Sequence, residues 1–188
     1  GGHSLIPVMK LRLAAPSVVI DLGRVRELAG IREDSGTVVI GAMTTHAAVE
    51  QSALIRAKVP LLAEVAPHVG DPQVRNLGTI GGSVAHADPA SELPACMVAL
   101  QARMNLAGPN GARAVAAEAF FRGIYETDLK TGEVLTSIEV PVLAADQRVF
   151  FDELARRRGD YAMAGLAASA KIAGGSLAAA RFVFFAVA

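Results

Sequence analysis

Two short segments, far apart in the chain, carry the residue types that hold a diphosphate. One is Gly1-Gly2-His3-Ser4, running on into Leu5; the other is Thr79-Ile80-Gly81-Gly82-Ser83. Glycine lacks a Cβ, so the main chain can approach an anionic oxygen closely. Successive N–H groups then act as donors, and neighbouring hydroxyls add more. An acidic residue, Glu92, stands nine positions after Ser83. One such loop carries little information, since a glycine pair is also an ordinary tight turn. Two of them with a carboxylate at a fixed offset narrow the reading to a flavin site. The expected donors are the amides of Gly81, Gly82 and Ser83, assisted by the Thr79 hydroxyl.

The elements that must position these groups are read from periodicity and punctuation. Residues 17–22 and 37–43 are β-branched runs of strand length, and the turn-rich stretch between them is too short for a crossover helix, so they are expected to pair antiparallel. Thr44 and Thr45 offer an N-cap for a helix to about residue 52, followed by a second helix over 60–69. Residues 76–87 read as the central loop. Proline is tolerated in the first turn of a helix, where its missing N–H costs no bond. Pro94 therefore places Ser91 at the N-cap and Glu92 at the first helical position of a helix to about residue 100. There Glu92 stands at a positive helix end and points back toward the glycine loop.

Downstream, Gly108-Pro109-Asn110-Gly111 predicts a hairpin between 103–106 and 112–115. Residues 120–123 read as a turn after a short helix, and 133–140 as a strand closed by Pro141. Long strands then follow at 149–154, 162–172 and 177–187, the last two joined by Gly174-Gly175-Ser176. A boundary is expected near residue 145. It divides residues 1–144, a nucleotide-binding unit, from residues 145–188, the beginning of a smaller unit. The hydrophobic hairpin around Phe182, Phe184 and Phe185 lacks partners in the remaining sequence, so the chain is expected to be truncated at both ends.

Composition excludes several classes. Of the 188 residues, 52% are apolar and 19% charged, as in a globular protein. Eighteen basic residues balance eighteen acidic ones, so no net field draws phosphate polymers or anionic membrane. No apolar run approaches the roughly 20 residues of a membrane span. The single cysteine, Cys96, cannot close an intrachain disulfide or supply the roughly four thiolates of an iron–sulfur cluster. Its apolar context reads as a small buried hydrophobe, and a free thiol fits a reducing cytoplasm. His3, His46, His68 and His86 show no metal-ligand spacing; His86, just behind the second loop, is the one placed to neighbour a cofactor. Arg156-Arg157-Arg158 reads either as a solvated charge run or as a surface for partner subunits or phosphates.

Taken together, these segments resemble the flavin-binding medium subunit of molybdenum hydroxylases, the carbon monoxide dehydrogenase and xanthine dehydrogenase group. The resemblance rests on Gly1 to Pro7, on Gly70-Asp71-Pro72-Gln73-Val74-Arg75-Asn76-Leu77-Gly78 continuing into the second loop, and on Ala87-Asp88-Pro89-Ala90-Ser91-Glu92-Leu93-Pro94. Gly132-Glu133-Val134-Leu135-Thr136 and Arg157-Arg158-Gly159-Asp160-Tyr161-Ala162 also fit. It implies an α+β fold of the vanillyl-alcohol-oxidase and p-cresol-methylhydroxylase type. In that fold, FAD lies extended between subdomains with its pyrophosphate on the two glycine loops. Glu92, where the family often has Asp, is implied to bond the ribityl side of the cofactor, and Tyr161 to lie beside the isoalloxazine. Where members often carry a lysine, this chain has Asp152-Glu153, so no lysine contact is assigned.

The resemblance also implies a division of labour. A large subunit oxidises substrate at a molybdenum cofactor, a small subunit relays electrons through [2Fe–2S] clusters, and the FAD of this chain passes them to an external acceptor. A dimer of such heterotrimers is the implied assembly. Two other functions use the same loops: a self-contained flavin oxidase of the same fold, and a nucleotide-binding relative without redox work.

Overall fold

A tight hairpin sets the register of the main sheet. The computed structural model describes residues 1–157 and 159–187; Arg158, the last of the arginine run, and residue 188 lie outside the described residues. After helix α1 (Leu5–Lys10) and a 3₁₀ turn (Arg26–Leu28), strand β1 (Ile31–Asp34) pairs antiparallel with β2 (Thr37–Gly41). The turn residues Ser35 and Gly36 both have positive φ, 49° and 81°. That combination matches the right-handed twist of the flanking strands.

This local pairing replaces the expected one. Residues 17–22 form no strand; Val18 and Ile20 are 72% and 77% exposed. A β-branched run becomes a strand only against a partner. The two edges of β2 are already taken, by β1 on one side and by a later strand, Val134–Pro141, on the other.

A helical layer follows: α2 (His46–Gln51), α3 (Ala53–Lys58), α4 (Pro60–Val65), a 3₁₀ turn (Ala66–His68), α5 (Pro72–Leu77), α6 (Ile80–His86) and α7 (Glu92–Ala99). The Thr45 hydroxyl accepts from the Ala48 amide at 3.2 Å, giving α2 the expected cap. Helix α3 was not expected. Ser52 ends α2 and at once caps α3, its hydroxyl accepting from the Ile55 amide at 3.2 Å. Helix α4 begins at the expected Pro60. Residues 76–87, expected as a loop, are mostly the end of α5 and the whole of α6. The Thr79 hydroxyl caps the Gly82 amide at 3.2 Å, which offsets the poor helix propensity of two glycines. Ser91, Glu92 and Pro94 take the positions expected of them.

The remaining strands complete two main sheets. Strands β3 (Arg103–Gly108) and β4 (Gly111–Ala116) form the expected hairpin, followed by α8 (Ala117–Phe120). Residues 120–123, expected as a turn, instead lead from α8 into β5 (Phe121–Gly123), which pairs with β6 (Glu126–Thr127). With β7 (Val134–Pro141) the main sheet reads β1-β2-β7-β3-β4, every neighbour antiparallel. Strands β8 (Gln147–Ala155), β9 (Ala162–Ala173) and β10 (Ser176–Phe185) form a second antiparallel sheet in the order β10-β9-β8. Helices and antiparallel sheets are thus segregated along the chain, the expected α+β class.

Helix α7 lies between these parts and is buried almost all round: Glu92, Leu93, Ala95, Cys96, Met97 and Ala99 are all inside. Burial pushes the Cys96 thiol well up, as for an inert core group. The Ser169 hydroxyl of β9 donates to the Ala99 carbonyl at 2.7 Å, and Phe151 stacks on Phe185 at 5.8 Å beneath the second sheet. Among the described residues, no helix is long and apolar enough to cross a membrane.

Gly165 lies opposite Phe185, and a Cβ there would overlap the ring, standing 2.7 Å from Cε2. Gly165→Ala should therefore push Phe185 off Phe151 and cost about 1–3 kcal/mol, read as a lower urea midpoint. An unchanged midpoint would show that the ring does not pack over this glycine.

Candidate functional site

The site is assembled where two backbone segments cross. Residues 44–46 run antiparallel to residues 78–80: the His46 amide donates to the Gly78 carbonyl at 3.0 Å, the Ile80 amide donates to the Thr44 carbonyl at 2.9 Å, and Thr45 pairs with Thr79 between them. The first glycine segment lies against this crossing. A Cβ on Gly1 would overlap the Leu77 carbonyl oxygen and stand 2.8 Å from the Gly78 Cα. Only glycine permits that approach. The two glycine segments, distant in sequence, are therefore adjacent in space.

Their hydrogen-bonding capacity differs. Gly2 has φ +75° and turns the chain into α1, where the Ile6 amide donates to the Gly2 carbonyl at 2.9 Å. Among the described residues, the amides of Gly2, His3, Ser4 and Leu5 find no acceptor in the chain. His3, Ser4 and Leu5 are exposed, and this turn presents unspent donors to solvent.

In the second segment the expected donors are already engaged. Gly81 N–H donates to the Ala42 carbonyl at 2.9 Å, Gly82 N–H to the Thr79 hydroxyl at 3.2 Å, and Ser83 N–H to the Thr79 carbonyl at 3.1 Å. The cause is that α6 begins at Ile80: its cap residue Thr79 takes the Gly82 and Ser83 amides, while Gly81 is bonded to the end of β2. Ile80 is a core side chain. Gly81 is needed for close packing, since a Cβ there would stand 2.7 Å from the Ala42 Cα. Exposed Gly82 and the half-buried Ser83 remain on the surface, a few residues beyond the Leu77–Gly78 backbone on which Gly1 sits.

A side chain not singled out from sequence completes this cradle. His46, 3% exposed, places its Nε2 3.2 Å from the Ser83 Oγ. Burial above all, with nearby positive charge including that of Arg75, lowers its pKa to about 4. The N-cap at Thr45 was legible in sequence; the partner of the next residue, on a different helix, was not.

Glu92 is also nearly buried, 8% exposed at the first turn of α7. Burial raises its pKa and the charge of Glu153 raises it further, while its own backbone amide, His68 and Ser91 oppose the shift. Glu153 pairs with His68 at 2.9 Å, and its second carboxylate oxygen has no partner among the described residues. The acid thus sits among charges of the second sheet and the 3₁₀ turn Ala66–His68.

At the other end of α6 lies an aromatic patch. His86 packs on Tyr125 with ring centroids 4.9 Å apart. Tyr125 and Ala87 both hold positive φ, 56° and 52°, and the Tyr125 amide donates to the Ala87 carbonyl at 3.1 Å. Left-handed backbone at non-glycine residues persists only where surrounding structure imposes it. The negative charge of Asp88 raises the Tyr125 phenol, and Tyr161, 73% exposed, is near enough to add to the effect. Asp88 itself forms the turn expected of it, accepting from the Ala90 amide at 2.9 Å. Tyr125 gave no sequence signal; a lone tyrosine in a turn has none. Arg157 pairs with Asp160 at 2.9 Å and, with Arg75, lines a groove of about 720 Å³ at the start of α5.

Comparison with known proteins accords with this geometry. Residues 1–143 match the family model for the FAD binding domain in molybdopterin dehydrogenase. The carbon monoxide dehydrogenase medium chain of Hydrogenophaga pseudoflava is 50% identical over 89% of this chain and 58% of its own length. That of Afipia carboxidovorans is 46% identical over 93% of this chain and 61% of its own length. A solved structure of the Hydrogenophaga pseudoflava carbon monoxide dehydrogenase, lacking the Mo-pyranopterin moiety of its molybdenum cofactor, superposes with a TM-score of 0.96 at 47% identity, over 98% of this chain and 64% of the other. The chain spans about three-fifths of the length of these curated relatives.

Two stability effects follow from the buried titratable groups. His46 stays neutral in the fold down to about pH 4, whereas unfolded it takes a proton near pH 6.5, so the unfolded state binds more protons between those values. Its contribution is full above pH 6.5 and is lost as pH falls toward 4, by at most about 3 kcal/mol. Unfolding midpoints at pH 7 and pH 4 should show this step in the wild type and not in His46→Gln. Glu92 has the opposite sign, because the fold favours its neutral form. Glu92→Gln should therefore unfold at a higher temperature than the wild type at pH 7, with the gap closing near pH 4. Equal melting at pH 7 would show that the carboxyl carries no burial cost.

Proposed function

The chain belongs to the family of FAD-binding domains of molybdopterin dehydrogenases, and from that premise we propose that it carries FAD as the electron-transfer medium subunit of a molybdenum hydroxylase of the carbon monoxide dehydrogenase type. In this reading a large subunit oxidises substrate at its molybdenum cofactor. Electrons pass through [2Fe–2S] clusters of a small subunit to this chain and on to an external acceptor. The assembly is a dimer of heterotrimers in the cytoplasm. The observation that supports the reading is the seating of Gly1 on Leu77 and Gly78, which sets the unspent donors of the first segment against the backbone that leads into α6.

Bound FAD supplies the redox chemistry; the chain binds and orients it. The amides of Gly2, His3, Ser4 and Leu5 would donate to the diphosphate from one side, and Gly82 and the Ser83 hydroxyl would face it from the other. Thr79, Ile80 and Gly81 act behind them, as cap, core contact and packing point of α6. Glu92 would meet the ribityl side, where its carboxyl can accept hydrogen bonds from the ribityl hydroxyls. Tyr161, the most exposed aromatic beside Tyr125, would cover the isoalloxazine.

Residues 1–144 would be the FAD-binding domain and residues 145–188 the beginning of a C-terminal flavoprotein domain. This division is supported by the start of β8 at Gln147 and by the end of the family match at residue 143.

The full-length chain should take up FAD stoichiometrically and copurify with molybdenum and iron. Gly1→Val, which cannot seat on Leu77, should weaken FAD binding about tenfold, the equivalent of one to two lost hydrogen bonds. Titration of the apoprotein followed by flavin fluorescence measures this. A wild type without FAD affinity, or a valine variant that binds as well as wild type, would sink the reading.

A further inference from the structure

We propose that His46 is a positioning residue for the diphosphate site: its Nε2–H donates to the Ser83 Oγ and thereby turns the Ser83 hydroxyl proton outward, as a donor to the bound anion. The inference rests on the FAD reading above and adds to it a residue that touches no cofactor.

The ring is held in one place by backbone. Thr45 caps α2, so His46 is the first residue of that helix, and its amide is fixed to the Gly78 carbonyl at 3.0 Å. Gly78 leaves room for the imidazole: a Cβ there would stand 3.0 Å from Cδ2 and 3.3 Å from Nε2. The ring then reaches across to the first turn of α6, where its Nε2 lies 3.2 Å from the Ser83 Oγ. Without it, a serine at this point of a helix commonly turns its hydroxyl back on the carbonyl four residues earlier, here Thr79. The imidazole keeps the oxygen away from that carbonyl.

The polarity of the bond decides what Ser83 can do. A hydroxyl has one proton and two lone pairs. If Ser83 donated to Nε2, only lone pairs would face outward, and these repel a phosphate oxygen. If Nε2–H donates, the hydroxyl accepts from the ring and keeps its proton for the anion. The other amides of this turn are spent inside the chain, so the hydroxyl is the donor that α6 has left to offer. Burial keeps the ring neutral at pH 7, so the arrangement sets a tautomer and not a charge.

The test uses the full-length chain, titrated with FAD, together with ¹⁵N-histidine NMR of the ring. His46→Phe and Ser83→Ala should each weaken FAD binding about tenfold, one charge-assisted hydrogen bond. The double variant should bind no more weakly than Ser83→Ala alone, because both remove the same bond. His46→Gln, which keeps an N–H at similar reach, should restore most of the affinity, and the wild-type ring should carry its proton on Nε2. Additive losses in the double variant, or a ring protonated on Nδ1 with FAD bound, would overturn the proposal. If the phenylalanine variant fails to fold, the tautomer and the glutamine titration decide. A wild type that takes up no FAD overturns the parent reading as well, so the wild-type titration tells the two failures apart.

Discussion

Everything at the site depends on the antiparallel crossing of residues 44–46 with residues 78–80. Two main-chain hydrogen bonds, from His46 to Gly78 and from Ile80 to Thr44, fasten the start of α2 to the start of α6. A third, from Gly81 to Ala42, fastens α6 to the end of β2. Backbone bonds of this kind are individually modest, about 1 kcal/mol net. Their value here is positional. They fix one helix start against another within the core of the domain, and Gly1 can then lie on Leu77 and Gly78 without its own scaffold.

The glycines divide by role along this crossing. Gly1, Gly78 and Gly81 each allow a close approach, to Leu77, to the ring of His46 and to Ala42 respectively. Gly2 instead supplies a positive φ that turns the chain into α1. A motif rich in glycine thus looks in sequence like a row of anion donors, while several of its members serve packing. The donors that face solvent come from the turn that begins α1, where no helix or strand has used them.

Much of the frame was legible from the residues, for reasons that separate the successes from the failures. The β3–β4 hairpin, β7 and the long strands of the second sheet follow from turn chemistry and period-two patterns, both local properties. Ser91, Glu92 and Pro94 could be placed because proline tolerates few helical positions. Residues 17–22 misled because strand formation is a property of pairs, and the tight Ser35-Gly36 turn gave β2 a nearer partner. Helix α6 was hidden because glycine propensity argues against a helix, and only the Thr79 cap and the contact with Ala42 overturn it. His46 and Tyr125 are tertiary facts: each acquires meaning from a residue on another element. That the two glycine segments would serve one diphosphate was read from their residue types and from family resemblance; the structure shows Gly1 seated on Leu77 and Gly78, just ahead of the second segment.

Helix α7 carries a last consequence. Its outer half holds up β9 and β10, through the bond from Ser169 to Ala99, while its other side fills the core beneath the helical layer. Across the division proposed near residue 145, the two parts therefore share one buried core. Loosening the C-terminal hairpin would strip cover from the same helix whose first turn holds Glu92. The two halves should melt as one cooperative unit, and disturbance at the far sheet would be felt at the acid.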